Sequence, residues 1–149
     1  MSLYRGRFIG LYRGGKVVTV DGKPLPPVKP SEDDYFWGYQ GSGPYYLAKA
    51  ILAHEFAGEM DQEAIIRFSG GFGERVTTKI PMGKPWMLTS ADIRQVYAEV
   101  LADCYDIILE EYECAKETMP QGHQFIIRKE AMLQWYDQII ANHLARSVS

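Results

Sequence analysis

The 149-residue sequence is poor in the residues that most often identify a function. It holds two cysteines and three histidines. Cys104 and Cys114 fall within one helical pattern, ~15 Å apart along a helix axis, so they cannot form a disulfide with each other. They read as reduced, half-buried thiols, as in a cytoplasmic protein. No cysteine pair has metal-finger spacing. His54-Glu55 begins like the zinc motif H-E-x-x-H, but Gly58 stands where the second histidine belongs, so no bound metal is expected. No apolar run approaches ~18 residues and no charged-then-apolar segment opens the chain, so neither a membrane span nor secretion is expected. Basic residues are not in excess: 16 Lys and Arg against 19 Asp and Glu give a net charge of −3. That balance argues against direct nucleic-acid binding, which needs clustered Lys and Arg.

What is present is an ordinary globular composition, 46% hydrophobic and 23% charged, rich in tyrosine with ten. Residues 3–13 alternate. Tyr4, Phe8 and Tyr12 share one face with Gly6 and Gly10, while Arg5, Arg7 and Arg13 lie opposite. This is the period of a half-buried strand. A Gly14-Gly15 turn leads to a returning β-branched strand at 16–20, and Asp21-Gly22 marks a second turn before a short strand near 23–25. Leu-Tyr-Arg-Gly occurs at 3–6 and again at 11–14, too short a repeat for a solenoid. Four prolines over 24–34 predict an extended loop.

Helices follow. The first is expected over 44–56, started by Pro44 with Ser42 or Gly43 as cap, and ended by Gly58. Asp61 caps a second. The run Ser69-Gly70-Gly71-Phe72-Gly73 predicts a break or bend, and residues 80–85 a loop. Thr89-Ser90-Ala91-Asp92 has the form of a capping box. It opens a long helix whose apolar stripe is Ile93, Val96, Tyr97, Val100, Cys104, Ile107 and Ile108, ending at Pro120 and Gly122. A last helix over about 128–146 carries Met132, Leu133, Trp135, Tyr136, Ile139, Ile140 and Leu144. The fold class read from this is α+β: a small N-terminal antiparallel β-sheet, two middle helices and a C-terminal antiparallel helix pair.

Three groups of residues are candidate sites. The first is the aromatic-glycine loop 37–44. Backbone amides of Gly41, Ser42 and Gly43 at a helix start suit an anion, and Trp37 and Tyr39 suit a stacked ring. The competing reading is architectural: Trp37 anchors the core and the glycines allow a tight backbone. The second group is an acidic stripe, Glu99, Asp103, Asp106, Glu110, Glu113 and Glu117, spaced by four and three along one helix face. It suits a basic partner, pairing with Arg128, Lys129, Arg146, Arg5 or Arg7 of the same chain, or plain solvation. The third is the row Arg5, Arg7 and Arg13, which suits an anion or the protection of an exposed edge strand. No nucleophile elbow is present, and His54, beside Glu55, is the one acid–base candidate.

The segment Trp37-Gly38-Tyr39-Gln40-Gly41-Ser42-Gly43-Pro44, with Leu47-Ala48 and Ile51-Leu52 after it, resembles the hallmark W-G-Y-G-G-S-G-P followed by L-A-x-x-I-L of a bacterial and phage family of unknown function. Gln40 replaces a glycine of that pattern. Trp86-Met87-Leu88-Thr89 resembles the family's W-x-L-T. The resemblance covers about residues 4–98, leaving about 99–149 as a helical extension of a single domain. It implies a small accessory protein of bacteria or their mobile elements and transfers no activity.

The function expected is therefore binding: contact of the helix pair and its acidic face with an unidentified protein partner or a second copy of the chain. A small anionic, nucleotide-like ligand at the 37–44 loop is the alternative, and a hydrolase with scattered residues a third. No catalytic residue is assigned and no cofactor is expected.

Overall fold

The computed structural model describes residues 1–9 and 15–144. Its contacts divide the chain into two compact units, Met1–Ile93 and Arg94–Ser149.

The first unit opens with strands β1 (Leu3–Phe8), β2 (Lys16–Val20) and β3 (Lys23–Pro24). A fourth strand, β4 (Trp86–Thr89), returns from far along the chain and pairs with β1, giving the antiparallel order β3-β2-β1-β4. The register places Tyr4 opposite Val20 and Leu88, and Gly6 opposite Val18 and Trp86. These residues share the inner face. Leu3, Arg5, Arg7, Val17, Thr19, Met87 and Thr89 share the outer one, as strand alternation requires. The alternation expected for β1 holds over its described part; Tyr12, Arg13 and the second Leu-Tyr-Arg-Gly copy lie outside the described residues. β1 is flanked by β2 and β4, so the expectation of an edge strand guarded by arginines is corrected.

Helices α1 (Ser42–Glu55), α2 (Gln62–Ile66) and α3 (Ser69–Arg75) complete this unit, with α1 packed against both others. The cap of α1 is Gly41, one residue before the expected Ser42 or Gly43. Asp61 caps α2 as expected, its side chain accepting from Ala64 N–H at 2.9 Å. The expected break falls at Arg67 and Phe68, just ahead of the glycine-rich run, and the run itself forms α3. Close packing accounts for Gly73: a Cβ there would stand 3.0 Å from the Tyr45 ring. Packing of one face thus outweighs about 1 kcal/mol of glycine propensity per position.

Helix α4 (Ser90–Thr118) begins at the capping box: Thr89 N–H donates to Asp92 Oδ2 at 3.0 Å, and Asp92 N–H donates to Thr89 Oγ1 at 3.2 Å. Most of α4 belongs to the second unit, with α5 (Gln124–Ile139) and a π-helical turn over Ile140–Leu144. α5 starts four residues earlier than its apolar periodicity suggests, because His123 caps it through Nδ1 accepting from Phe125 N–H. Tyr105 donates to Asp137, Tyr112 to Glu130, and Glu111 meets Lys129. Later residues of α4 meet earlier residues of α5, so the pair is antiparallel as expected. Both tyrosine hydroxyls are held above their ordinary range, Tyr105 first by burial and Tyr112 first by its bond to Glu130. Among the described residues no helix is long and apolar enough to cross a membrane.

Candidate functional site

The C-terminal half of α4 and the start of α5 carry exposed apolar side chains beside exposed carboxylates. On α4, Ile108 and Ala115 turn into the core. The positions immediately before them, Ile107 and Cys114, are exposed, Ile107 by 48%. Ile107 was expected in the buried stripe. The buried side of the long helix runs through Leu101, Ile108 and Ala115 instead, leaving Ile107 on the flank. Cys114 is likewise exposed, where half-burial was expected, and Cys104 is half-buried as expected. Phe125, in the first turn of α5, is 37% exposed. Ile107, Cys114, Ala115, Thr118, Met119 and Phe125, with Glu110 and Glu111, line a hollow of about 530 Å³.

The acidic stripe runs beside this hollow. Its six members divide. Glu99 and Asp103 are already engaged by other groups. Glu113 lies 3.3 Å from Lys116. Asp106, Glu110 and Glu117 are exposed and make no ion pair among the described residues. Lys129, offered by the sequence as an internal partner for the stripe, is taken by Glu111, which points off the stripe. Arg146 lies outside the described residues. Asp106 and Glu110, four apart on one face, repel each other by a few tenths of a kcal/mol unless a cation lies over them.

The 37–44 loop is built differently. The Trp37 ring is fully buried, stacked on Phe36 with centroids 5.3 Å apart, edge-on to Trp86, and against Phe8. Its N–H donates to Lys84 O at 2.9 Å. Gly38 has φ +87°, and a Cβ there would lie 2.6 Å from Ile80 O. A Cβ on Gly41 would stand 2.6 Å from the Tyr39 ring, and one on Gly43 2.8 Å from Phe36 Cβ. Ser42 and Tyr39 are exposed. Ring packing therefore accounts for the cluster of glycines, and the indole offered as a stacking platform sits inside the core.

A polar cluster that the sequence does not reveal joins three elements of the first unit. Tyr4 Oη lies 2.8 Å from His54 Nδ1 and donates to Glu55 Oε1 at 3.1 Å; Ser90 Oγ donates to the same oxygen at 2.7 Å. Ser2 N–H donates to Ser90 Oγ. The serine hydrogen-bonds to the carboxylate, not to the imidazole, so this is no nucleophile–base pair of the serine-hydrolase kind. It ties the first strand to the end of α1 and the start of α4.

The outer sheet face carries Arg5 and Arg7, both exposed. Arg13 lies outside the described residues.

The model of one family, described as a family of unknown function (DUF6166), matches residues 4–99. No curated protein and no solved structure matches the chain. The matched span is well over half the sequence, and the chain belongs to this family.

Proposed function

We propose that this member of the DUF6166 family works by binding, and that the face formed by α4 and the first turn of α5 docks a basic, amphipathic helical segment of a protein partner. The observation that carries the reading is the adjacency of two unsatisfied surfaces: the carboxylates of Asp106, Glu110 and Glu117, and the open apolar hollow beside them. A helix with apolar residues on one side and Lys or Arg on its flank fills the hollow and neutralises the carboxylates at once. The aromatic and aliphatic groups Phe125, Ile107 and Met119 are the anchors; the acids set orientation and on-rate. A small accessory role in a bacterial or phage setting and a cytoplasmic site of action fit this reading.

The test uses two synthetic helices with the same apolar face, one flanked by lysines and one by glutamates. The lysine helix is expected to bind with an affinity that falls as salt rises. The glutamate helix is expected not to bind. Reversing Asp106, Glu110 and Glu117 to Lys is expected to invert that preference while the circular dichroism spectrum stays unchanged. Equal binding of both helices, or a triple variant that still prefers the lysine helix, overturns the reading. Sedimentation that shows a stable dimer sealed over Phe125 replaces the partner by a second copy.

A further inference from the structure

Arg5 and Arg7 rise from the outer sheet face with a hollow on either side. One, of about 460 Å³, is lined by both arginines with Gly6, Pro85, Trp86 and Met87. The other, of about 260 Å³, is lined by both arginines with Leu3, Thr19, Asp21 and Gly22. Because β1 is an inner strand, edge protection does not explain two arginines here. Neither has an ion pair or hydrogen bond among the described residues. Residues two apart on one strand face stand ~7 Å from each other. Two guanidinium forks at that spacing can each take a neighbouring phosphoryl group through paired N–H donors.

The two hollows differ in chemistry. The larger is apolar: Pro85 is exposed and Met87 is 58% exposed, while the Trp86 indole turns to the inner face. The polarizable thioether of Met87 and the proline ring offer a surface to a flat aromatic ring. The smaller holds the Asp21 carboxylate. It accepts from Leu3 N–H at 2.9 Å, and that bond holds its acid form below the usual range. An ionised carboxylate there turns an anion toward the Met87 side.

We propose that this face is a nucleotide site: the phosphates of a nucleoside diphosphate lie on Arg5 and Arg7, and its base lies in the hollow against Pro85 and Met87. The site belongs to the first unit and is independent of the acidic face of α4.

Calorimetric titration of the full chain with ADP, pyrophosphate, adenosine and a single-stranded oligonucleotide tests it. ADP is expected to bind more tightly than pyrophosphate, because the base adds contact, and adenosine to bind weakest. Arg5→Gln with Arg7→Gln is expected to weaken ADP at least tenfold, about the effect of losing one charge-assisted pair. Met87→Ala is expected to weaken ADP several-fold and leave pyrophosphate unchanged. All three side chains are exposed, so these variants keep the fold. Absence of ADP binding at millimolar concentration, an equal affinity for pyrophosphate, or indifference to the arginine changes overturns the proposal. An oligonucleotide binding tenfold more tightly than ADP overturns it in favour of a nucleic-acid face.

Discussion

The indole of Trp86 lies directly over the backbone of Gly6. A Cβ built on Gly6 would stand 2.1 Å from Trp86 Nε1 and 2.4 Å from Cε2. The two residues are paired across β1 and β4, and the buried Nε1 has no hydrogen-bond partner. The ring must be flat on the strand, and only the absence of a side chain permits it.

Gly6→Ala is therefore expected to push a rigid ring out of place and destabilise the protein by about 1–3 kcal/mol, the usual range for overpacking. Tryptophan fluorescence reports the displacement and urea denaturation the loss. Gly70→Ala is the contrasting case. Gly70 lies in α3 with no atom within 4 Å of a Cβ, so alanine there is expected to stabilise by about 0.5–1 kcal/mol. A Gly6→Ala protein as stable as the parent would show that the ring contact is absent.

Lys129 and Glu111 form an asymmetric ion pair. Their charged atoms are 2.5 Å apart, with the lysine side chain 6% exposed and the glutamate 32%. Lys129 Nζ also sits 5.0 Å from the centroid of the Phe125 ring. Glu111→Gln leaves a buried ammonium with a neutral amide oxygen and an aromatic face but no counter-charge from Glu111, whereas Lys129→Met leaves a carboxylate that still reaches water. Glu111→Gln is thus expected to cost about 1–3 kcal/mol and Lys129→Met clearly less. The reverse order in chemical denaturation would mean that the lysine, not the glutamate, is the solvated partner.

The Tyr35 hydroxyl donates to Leu25 O at 3.1 Å. Burial first, then the charges of Asp33 and Glu32, hold its ionisation above the ordinary 10.0. As pH rises past 10.0, the unfolded chain releases this proton before the folded chain does. The contribution to stability is whole below that pH and is lost as pH climbs toward the folded value. Stability is expected to fall in the alkaline range, and Tyr35→Phe to fall less steeply there. Phenolate absorbance against pH, native and denatured, follows the group directly. An unaltered alkaline slope in Tyr35→Phe would assign the loss to other tyrosines.

How much of this was legible beforehand depends on the range of the interaction. The capping box at Thr89 and Asp92, the Asp61 cap, the two faces of β1 and the antiparallel helix pair are set by neighbours within a few residues. Each was readable from spacing alone. β4 is not legible in the sequence, because the four residues Trp86–Thr89 become a strand only by pairing with β1, far earlier in the chain. The break before the glycines at 69–73 is local, but that the glycines are themselves helical is not: local propensity opposes it, and packing against α1 decides it.

The candidate sites follow the same rule. The acidic stripe is a property of period alone, since residues four and three apart on a helix share a side, and so the sequence determined that these carboxylates would stand together. Which of them lack a partner was decided by the fold, which gave Lys129 to Glu111 and left Asp106, Glu110 and Glu117 exposed. The hollow beside them, the two hollows around Arg5 and Arg7, and the Tyr4–Glu55–Ser90 cluster join residues far apart in the chain. So does the burial of Trp37, whose surroundings come from residues 8, 36, 84 and 86. Periodicity records which side of an element a residue occupies; what that side meets depends on long-range packing, to which no single segment holds the key.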